Sequence, residues 1–139
     1  MKWYPVTIGV MGVLGFSVLV PRANGDNTIL DAMCIVESQC DSSKVGDGGD
    51  SIGAYQIQYK YWYDAVEFDS SIGGTYEDCL DKEYSLTIIR AYWNRYATTK
   101  RLGHTPTDED RARIHNGGPN GYKKQSTKKY WAKIQKELR

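Results

Sequence analysis

LDKEYSLTIIRAYWNRYA, residues 80–97, is the stretch whose reading decides the fold. Leu80, Tyr84, Ile88, Tyr92 and Tyr96 recur at every fourth position, and Ile89 and Trp93 flank them. In a helix these side chains form one broad apolar face, and a face that wide has to be covered by other elements. The spacing therefore predicts a central core helix with the rest of the chain packed around it.

Working back toward the N-terminus, Gly73 and Gly74 break the chain and residues 59–68 read as a short aromatic helix. Residues 54–58 alternate as a short strand does, with Tyr55 and Ile57 on one face. Residues 41–53, DSSKVGDGGDSIG, are rich in Gly, Ser and Asp and predict an irregular loop. Before the loop, Ile29, Met33 and Val36 fall at helical spacing over residues 27–37, with Asp26 or Asn27 available as the cap.

Toward the C-terminus, Thr107 followed by Asp110 resembles a capping box and opens another short helix. The run HNGGPNG, residues 115–121, predicts a loop, because its Gly, Pro and Asn break regular structure. Ser126 or Thr127 then caps a last helix on which Tyr130, Trp131, Ile134 and Leu138 share a face. The fold class expected is α+β, mostly α: helices around a central core helix with a short β-element, in one domain over residues 26–139.

Residues 1–25 read as a signal peptide: Lys2, an apolar run from Val6 through Val20, and small residues Ala23 and Gly25 where a signal peptidase would cut. A membrane anchor is the competing reading, but the run is short for a span and Pro21 and Arg22 close it. The expected location is secreted and extracellular. Removing the leader takes Lys2 and Arg22 from the 18 basic residues and none from the 17 acidic ones, leaving 16 against 17. Net charge then names no partner. Lys123, Lys124, Lys128, Lys129, Lys133, Lys136 and Arg139 crowd the C-terminus, where they form either a solvated helix face or a surface that steers an anionic polymer.

Three cysteines, Cys34, Cys40 and Cys79, allow at most one intramolecular disulfide, and an exported chain oxidises such a pair; three pairings are open. Two histidines without paired-ligand spacing argue against a metal site, and the absence of a phosphate-binding Gly-rich loop argues against a nucleotide. No cofactor and no nucleic acid are expected.

Glycoside hydrolysis needs a carboxylic acid that hands a proton to the leaving oxygen and, in most such enzymes, a second carboxylate that stays ionised. Glu37 suits the first role, because it falls at the predicted C-terminal end of the first helix beside apolar Val36, and both surroundings oppose a charge there. The loop that follows carries Asp41, Asp47 and Asp50 and so offers the second carboxylate. Tyr55, Trp62, Tyr63 and Tyr92 are flat enough to stack on sugar rings, with Tyr55 the preferred groove residue.

CIVESQC at 34–40, SIGAYQI at 51–57, YWYD at 61–64, AYWNRYA at 91–97 and ARIHNGGPNG at 112–121 occur in that order, and together they resemble the invertebrate-type (destabilase) lysozymes. The match runs from about residue 28 to 135, and RIHNGGPNG is its most specific part. The resemblance implies a small lysozyme-like fold and a muramidase that cuts the β-1,4 bond between N-acetylmuramic acid and N-acetylglucosamine of bacterial peptidoglycan. It puts the family's acid on Glu37 and its catalytic aspartate on Asp47 in preference to Asp50, the loop here being a few residues shorter than in relatives. Tyr55, Asp50, Ser51, His115 and Asn116 are the candidate substrate-binding residues.

The resemblance also places Ser51 and His115 on positions associated with an isopeptidase, in which a histidine would activate the serine. Two further alternatives stand beside the muramidase: a non-catalytic peptidoglycan-binding relative, and an enzyme that works with Glu37 alone. The chain lacks most of the cysteines of its relatives, so its stability has to come from its core.

Overall fold

The computed structural model describes residues 24–139. Six helices are connected in the order α1 (Asn24–Ser38), α2 (Tyr59–Phe68), α3 (Lys82–Tyr96), α4 (Thr99–Leu102), α5 (Asp108–Gly117) and α6 (Lys128–Glu137). Three two-residue strands, β1 (Val45–Gly46), β2 (Ser51–Ile52) and β3 (Ile57–Gln58), form an antiparallel sheet between α1 and α2. The expected mostly helical α+β class is the class observed. The leader expected over residues 1–25 lies, except for its last two residues, outside the described part of the chain.

The central helix is α3. Ile88 and Ile89 are fully buried, and Ala91, Tyr92 and Trp93 nearly so. α2 packs along it, with the Tyr61 and Tyr92 rings stacked at 3.6 Å between centroids. α1 contributes Ile29, Leu30 and Met33, α5 contributes Ile114 and α6 contributes Ile134, all buried in the same core. Each such side chain is worth about 1.5–3 kcal/mol on burial, so an aliphatic and aromatic core takes the place of additional disulfides.

Several boundaries differ from the sequence expectation, each for a local reason. α3 starts at Lys82 because the Asp81 side chain accepts a hydrogen bond from the Tyr84 amide at 2.8 Å. Leu80 therefore sits outside the helix, 42% exposed, in a short 3-10 turn (Tyr76–Leu80). α1 already includes Asp26 and Asn27, which the sequence reading set at its start. The stretch 41–53 contains β1 and β2, while the strand expected over 54–58 is reduced to Ile57 and Gln58, because residues 53–56 turn with positive φ at Gly53 and Gln56. The capping box of Thr107 and Asp110 is present, but α5 continues through His115 and Asn116 to Gly117 before the turn that Gly118 makes. Thr127 precedes α6 without capping it, since its hydroxyl is engaged by the Gly121 carbonyl at 2.7 Å and by Arg113 Nε at 2.9 Å.

Two glycines are required by close approach. A Cβ on Gly53, whose φ is +79°, would run into the Cys79 carbonyl, and one on Gly121 would run into the Arg113 carbonyl. The first contact seats the β-sheet on the turn before α3. The second folds the chain after α5 back against that helix.

Candidate active site

Glu37 is the next-to-last residue of α1. The helix is closed off there by Gln39 and Cys40, both with left-handed φ, whose amides bond the carbonyls of Ile35 and Cys34 at 2.9 and 3.0 Å. The Cys34–Cys40 disulfide clamps this turn, which leaves Cys79 as the buried free thiol. Lys44 Nζ donates to the Glu37 carbonyl at 2.9 Å, and the Ser38 hydroxyl donates to the Ala54 carbonyl at 2.7 Å. The end of α1 is thereby fixed to the sheet, and the Glu37 side chain, 17% exposed, is directed into a groove of about 800 Å³.

The opposite elements of the groove bring the remaining groups. Asp47 follows β1 with φ +51°, a conformation that Asp tolerates better than most residues. The Ser51 hydroxyl donates to Asp47 Oδ2 at 2.6 Å. Gln56 ties this loop together by donating from Nε2 to the carbonyls of Gly53 and Lys44 at 2.9 and 3.2 Å. From α5, His115 presents Nε2 at 3.5 Å from Glu37 Oε1 and 3.2 Å from the Tyr55 carbonyl, with Nδ1 at 3.1 Å from the Tyr61 hydroxyl.

Of the residues singled out from the sequence, Glu37, Asp47, Ser51, Tyr92, His115 and Asn116 line this one groove, Tyr92 being almost entirely buried at its wall. Asp50 does not: it is exposed, and its carbonyl accepts from the Tyr76 hydroxyl at 3.3 Å. Tyr55 is the clearest departure. Its ring is fully buried, its hydroxyl makes no hydrogen bond among the described residues, and burial pushes its phenol up to about 12, with Asp31 and Glu83 adding to the effect. The positive φ at Gln56 turns the chain so that Tyr55 shows the groove side its carbonyl rather than its ring.

Ser51 and His115 do not form a nucleophile and base pair. The Ser51 hydroxyl is directed at Asp47, whereas the two histidine nitrogens are turned to Tyr61 and to Tyr55 and Glu37. The groove also takes in Gln58, Lys60, Tyr61, Asp64 and Tyr96, which reading the sequence missed, and Lys124 from the basic C-terminal run. Tyr96 lay within the apolar periodicity of the central helix and was absorbed into the core pattern, and Tyr61 was read only as part of a short aromatic helix. Trp62 and Tyr63, read as sugar-stacking rings, lie instead in a separate cluster with Tyr59, and Trp62 also meets Tyr76.

Buried phenols surround the acid. Tyr61 is held well above the ordinary tyrosine value, chiefly by burial and then by Tyr92 and Glu37. Tyr130 is raised likewise, by burial first and then by Glu37, although its hydroxyl reaches no hydrogen bond of good geometry. Both keep their protons; the Tyr61 hydroxyl is turned to His115 Nδ1, and Tyr130 faces Glu37. Among the described residues no group of three or more His, Cys, Asp or Glu is gathered as metal ligands would be, and no helix is long and apolar enough to cross a membrane.

The family described as Destabilase matches residues 26–137. The chain is 36% identical over 110 residues to a lysozyme of Meretrix lusoria, covering 77% of this chain and 85% of that one. It is 32% identical over 131 residues to invertebrate-type lysozyme 6 of Caenorhabditis elegans, covering 89% and 92%. Lysozyme 1 of Crassostrea virginica is 36% identical over 111 residues, and the match spans 56% of that longer protein. Among solved structures, the Tapes japonica lysozyme superposes with a TM-score of 0.67 at 34% identity, covering 78% of this chain and 87% of that one. The Meretrix lusoria lysozyme in complex with Aeromonas hydrophila PliI gives 0.68 at 34% identity, with the same coverage.

Proposed function

This chain belongs to the Destabilase family of invertebrate-type lysozymes, which are glycoside hydrolases, and on that premise we propose that it is a secreted muramidase with Glu37 as its acid and Asp47 as its second carboxylate. The substrate is bacterial peptidoglycan, cut at the β-1,4 bond between N-acetylmuramic acid and N-acetylglucosamine. The observation that carries the reading is that Glu37 and Asp47, supplied by different elements, line the same groove, while Asp50 stays outside it.

In the first step Glu37 gives its proton to the glycosidic oxygen as the C1–O bond breaks, and the bond's electron pair leaves with that oxygen. Asp47 stabilises the positive charge growing at C1 or bonds to it. The Ser51 hydroxyl, donating to Oδ2, keeps the Asp47 carboxylate oriented while it does so. Water then attacks C1, releasing the Asp47 carboxylate with the electron pair of any C1–O bond it had formed, and gives a proton back to Glu37. The half-buried Tyr96 ring, backed by the buried Tyr92, suits the apolar face of a sugar at one wall. Lysines exposed along α6 and before it, such as Lys128, Lys129 and Lys133, favour approach to an anionic wall.

Clearing of a peptidoglycan suspension tests the assignment. The parent and Asp50→Asn are expected to clear it at comparable rates, while Glu37→Gln and Asp47→Asn lose on the order of 100-fold or more. Asn tolerates the left-handed backbone of position 47, so that variant removes the charge and leaves the loop folded. Binding of the wall without clearing by the parent would favour the non-catalytic relative. Full activity in Asp47→Asn would favour catalysis by Glu37 alone. The N-terminus of exported protein, expected near residue 26, checks the leader.

A further inference from the structure

His115 is buried, its side chain 3% exposed, and both its ring nitrogens are engaged. The Tyr55 carbonyl, 3.2 Å from Nε2, can only accept, so Nε2 carries a hydrogen whatever the charge of the ring. In the neutral ring Nδ1 then holds a lone pair, and the Tyr61 hydroxyl, kept protonated by burial, donates into it at 3.1 Å. The ring meets Tyr61 edge-on at 5.2 Å and lies over Tyr130 at 6.5 Å, which prevents it from turning. That one hydrogen is donated to the Tyr55 carbonyl and has Glu37 Oε1 beside it as a second acceptor, 3.5 Å from Nε2.

We infer that His115 is a positioning residue for Glu37, its Nε2–H reserving Oε1 as an acceptor so that the proton delivered to the leaving oxygen resides on Oε2. This rests on the reading of Glu37 as the acid. A proton on Oε1 would set two donors against each other, so the acid proton belongs on the other oxygen. When that proton leaves, Glu37 becomes a carboxylate, and a small side-chain movement shortens the 3.5 Å separation to a charge-assisted hydrogen bond. The contact is therefore stronger after proton transfer than before it, which is the condition for lowering the barrier.

The groups that face Glu37 from the packed elements are His115 from α5, Tyr61 from α2 and Tyr130 from α6. Asp47 lies across the groove, and Lys44 holds the Glu37 carbonyl. Of these, His115 approaches a Glu37 oxygen with a nitrogen donor already fixed in direction by two other partners.

The test compares the parent, Glu37→Gln, His115→Phe, His115→Gln and Tyr61→Phe on solubilised peptidoglycan fragments, with kcat and KM measured across pH and the melting temperature of each. His115→Phe fills the space without a donor and should lose on the order of 10- to 100-fold in kcat, with KM changed about twofold or less. The alkaline limb of its kcat profile, which reports loss of the acid's proton, should move to higher pH. His115→Gln restores an N–H and should recover most of the rate and the limb, and Tyr61→Phe should fall between them. If His115→Phe unfolds, Tyr61→Phe and His115→Gln carry the test, the first shifted and the second near the parent. The inference is overturned if the limb stays in place, if His115→Gln is as slow as His115→Phe, or if the losses match the unfolded fraction. Parent-like activity in Glu37→Gln would remove the acid and this inference together, whereas an inactive Glu37→Gln beside indifferent His115 variants would remove the inference alone.

Discussion

The Ser51 hydroxyl donates to Asp47 Oδ2 at 2.6 Å, so this buried serine serves the candidate second carboxylate and not a histidine. Ser51→Ala should lower kcat about tenfold by freeing Asp47, at a cost of about 1 kcal/mol in stability. On a γ-glutamyl-lysine substrate, the parent and Ser51→Ala should both show no hydrolysis above the blank. Release of lysine by the parent, lost in Ser51→Ala, would contradict this geometry.

Burial pushes the Cys79 thiol up to about 12 against a smaller opposing effect of its contact with Ser85, so hardly any thiolate exists at neutral pH. A thiol reagent added to the unreduced protein should find Cys79 inert in buffer and fully reactive in denaturant. Rapid native labelling would show that the core opens.

The Cys34–Cys40 bridge spans six positions, a short loop whose closure restricts the unfolded chain by about 2 kcal/mol. The Cys34→Ala, Cys40→Ala double variant should melt roughly 5–10 °C below the parent and still fold. A chain that is unfolded without the bridge would mean that the core described above is insufficient.

Gly53 and Gly103 both have φ of +79°, but only the first is crowded. Gly53→Ala should cost about 2–3 kcal/mol, since the backbone strain is joined by collision with the Cys79 carbonyl. Gly103→Asn, in open space at the end of α4, should cost about 1 kcal/mol or less. Urea unfolding of the two separates strain from crowding.

Burial favours protonation of Asp110, but the Thr107 amide, His104 and the Thr107 hydroxyl together outweigh it and hold its carboxyl below the ordinary value of 3.8. A depressed native value stabilises the fold fully above the unfolded value and loses that contribution as pH falls through the native one. Asp110→Asn should therefore be less stable than the parent at pH 7, with the gap closing below pH 3.8. A gap independent of pH would assign the effect to packing.

What could be read from the sequence was what neighbours in the chain decide. The Thr107–Asp110 capping box, the limits of α2 and the apolar face of α3 are all set within a few residues of themselves. β1 and β2 were hidden because strands of two residues show no alternation. They exist by pairing Val45 with Ile52 and Gly46 with Ser51, a register that depends on the loop closing. Leu80 misled because its periodic spacing continues past the point where the Asp81 side chain starts the helix.

The order of the helices, the family and the place of Glu37 at the end of α1 were determined by the sequence alone, since helix ends and motif order are local properties. Which aspartate enters the groove, why the Tyr55 ring turns inward, and what His115 touches were decided only by the tertiary structure. The partners of His115 lie 54 and 60 positions away along the chain, and Asp47 is aimed by a loop shut through the Lys44 carbonyl and the Gly53 amide. Contacts of that range follow from how the packed helices meet, and no spacing within a segment encodes them.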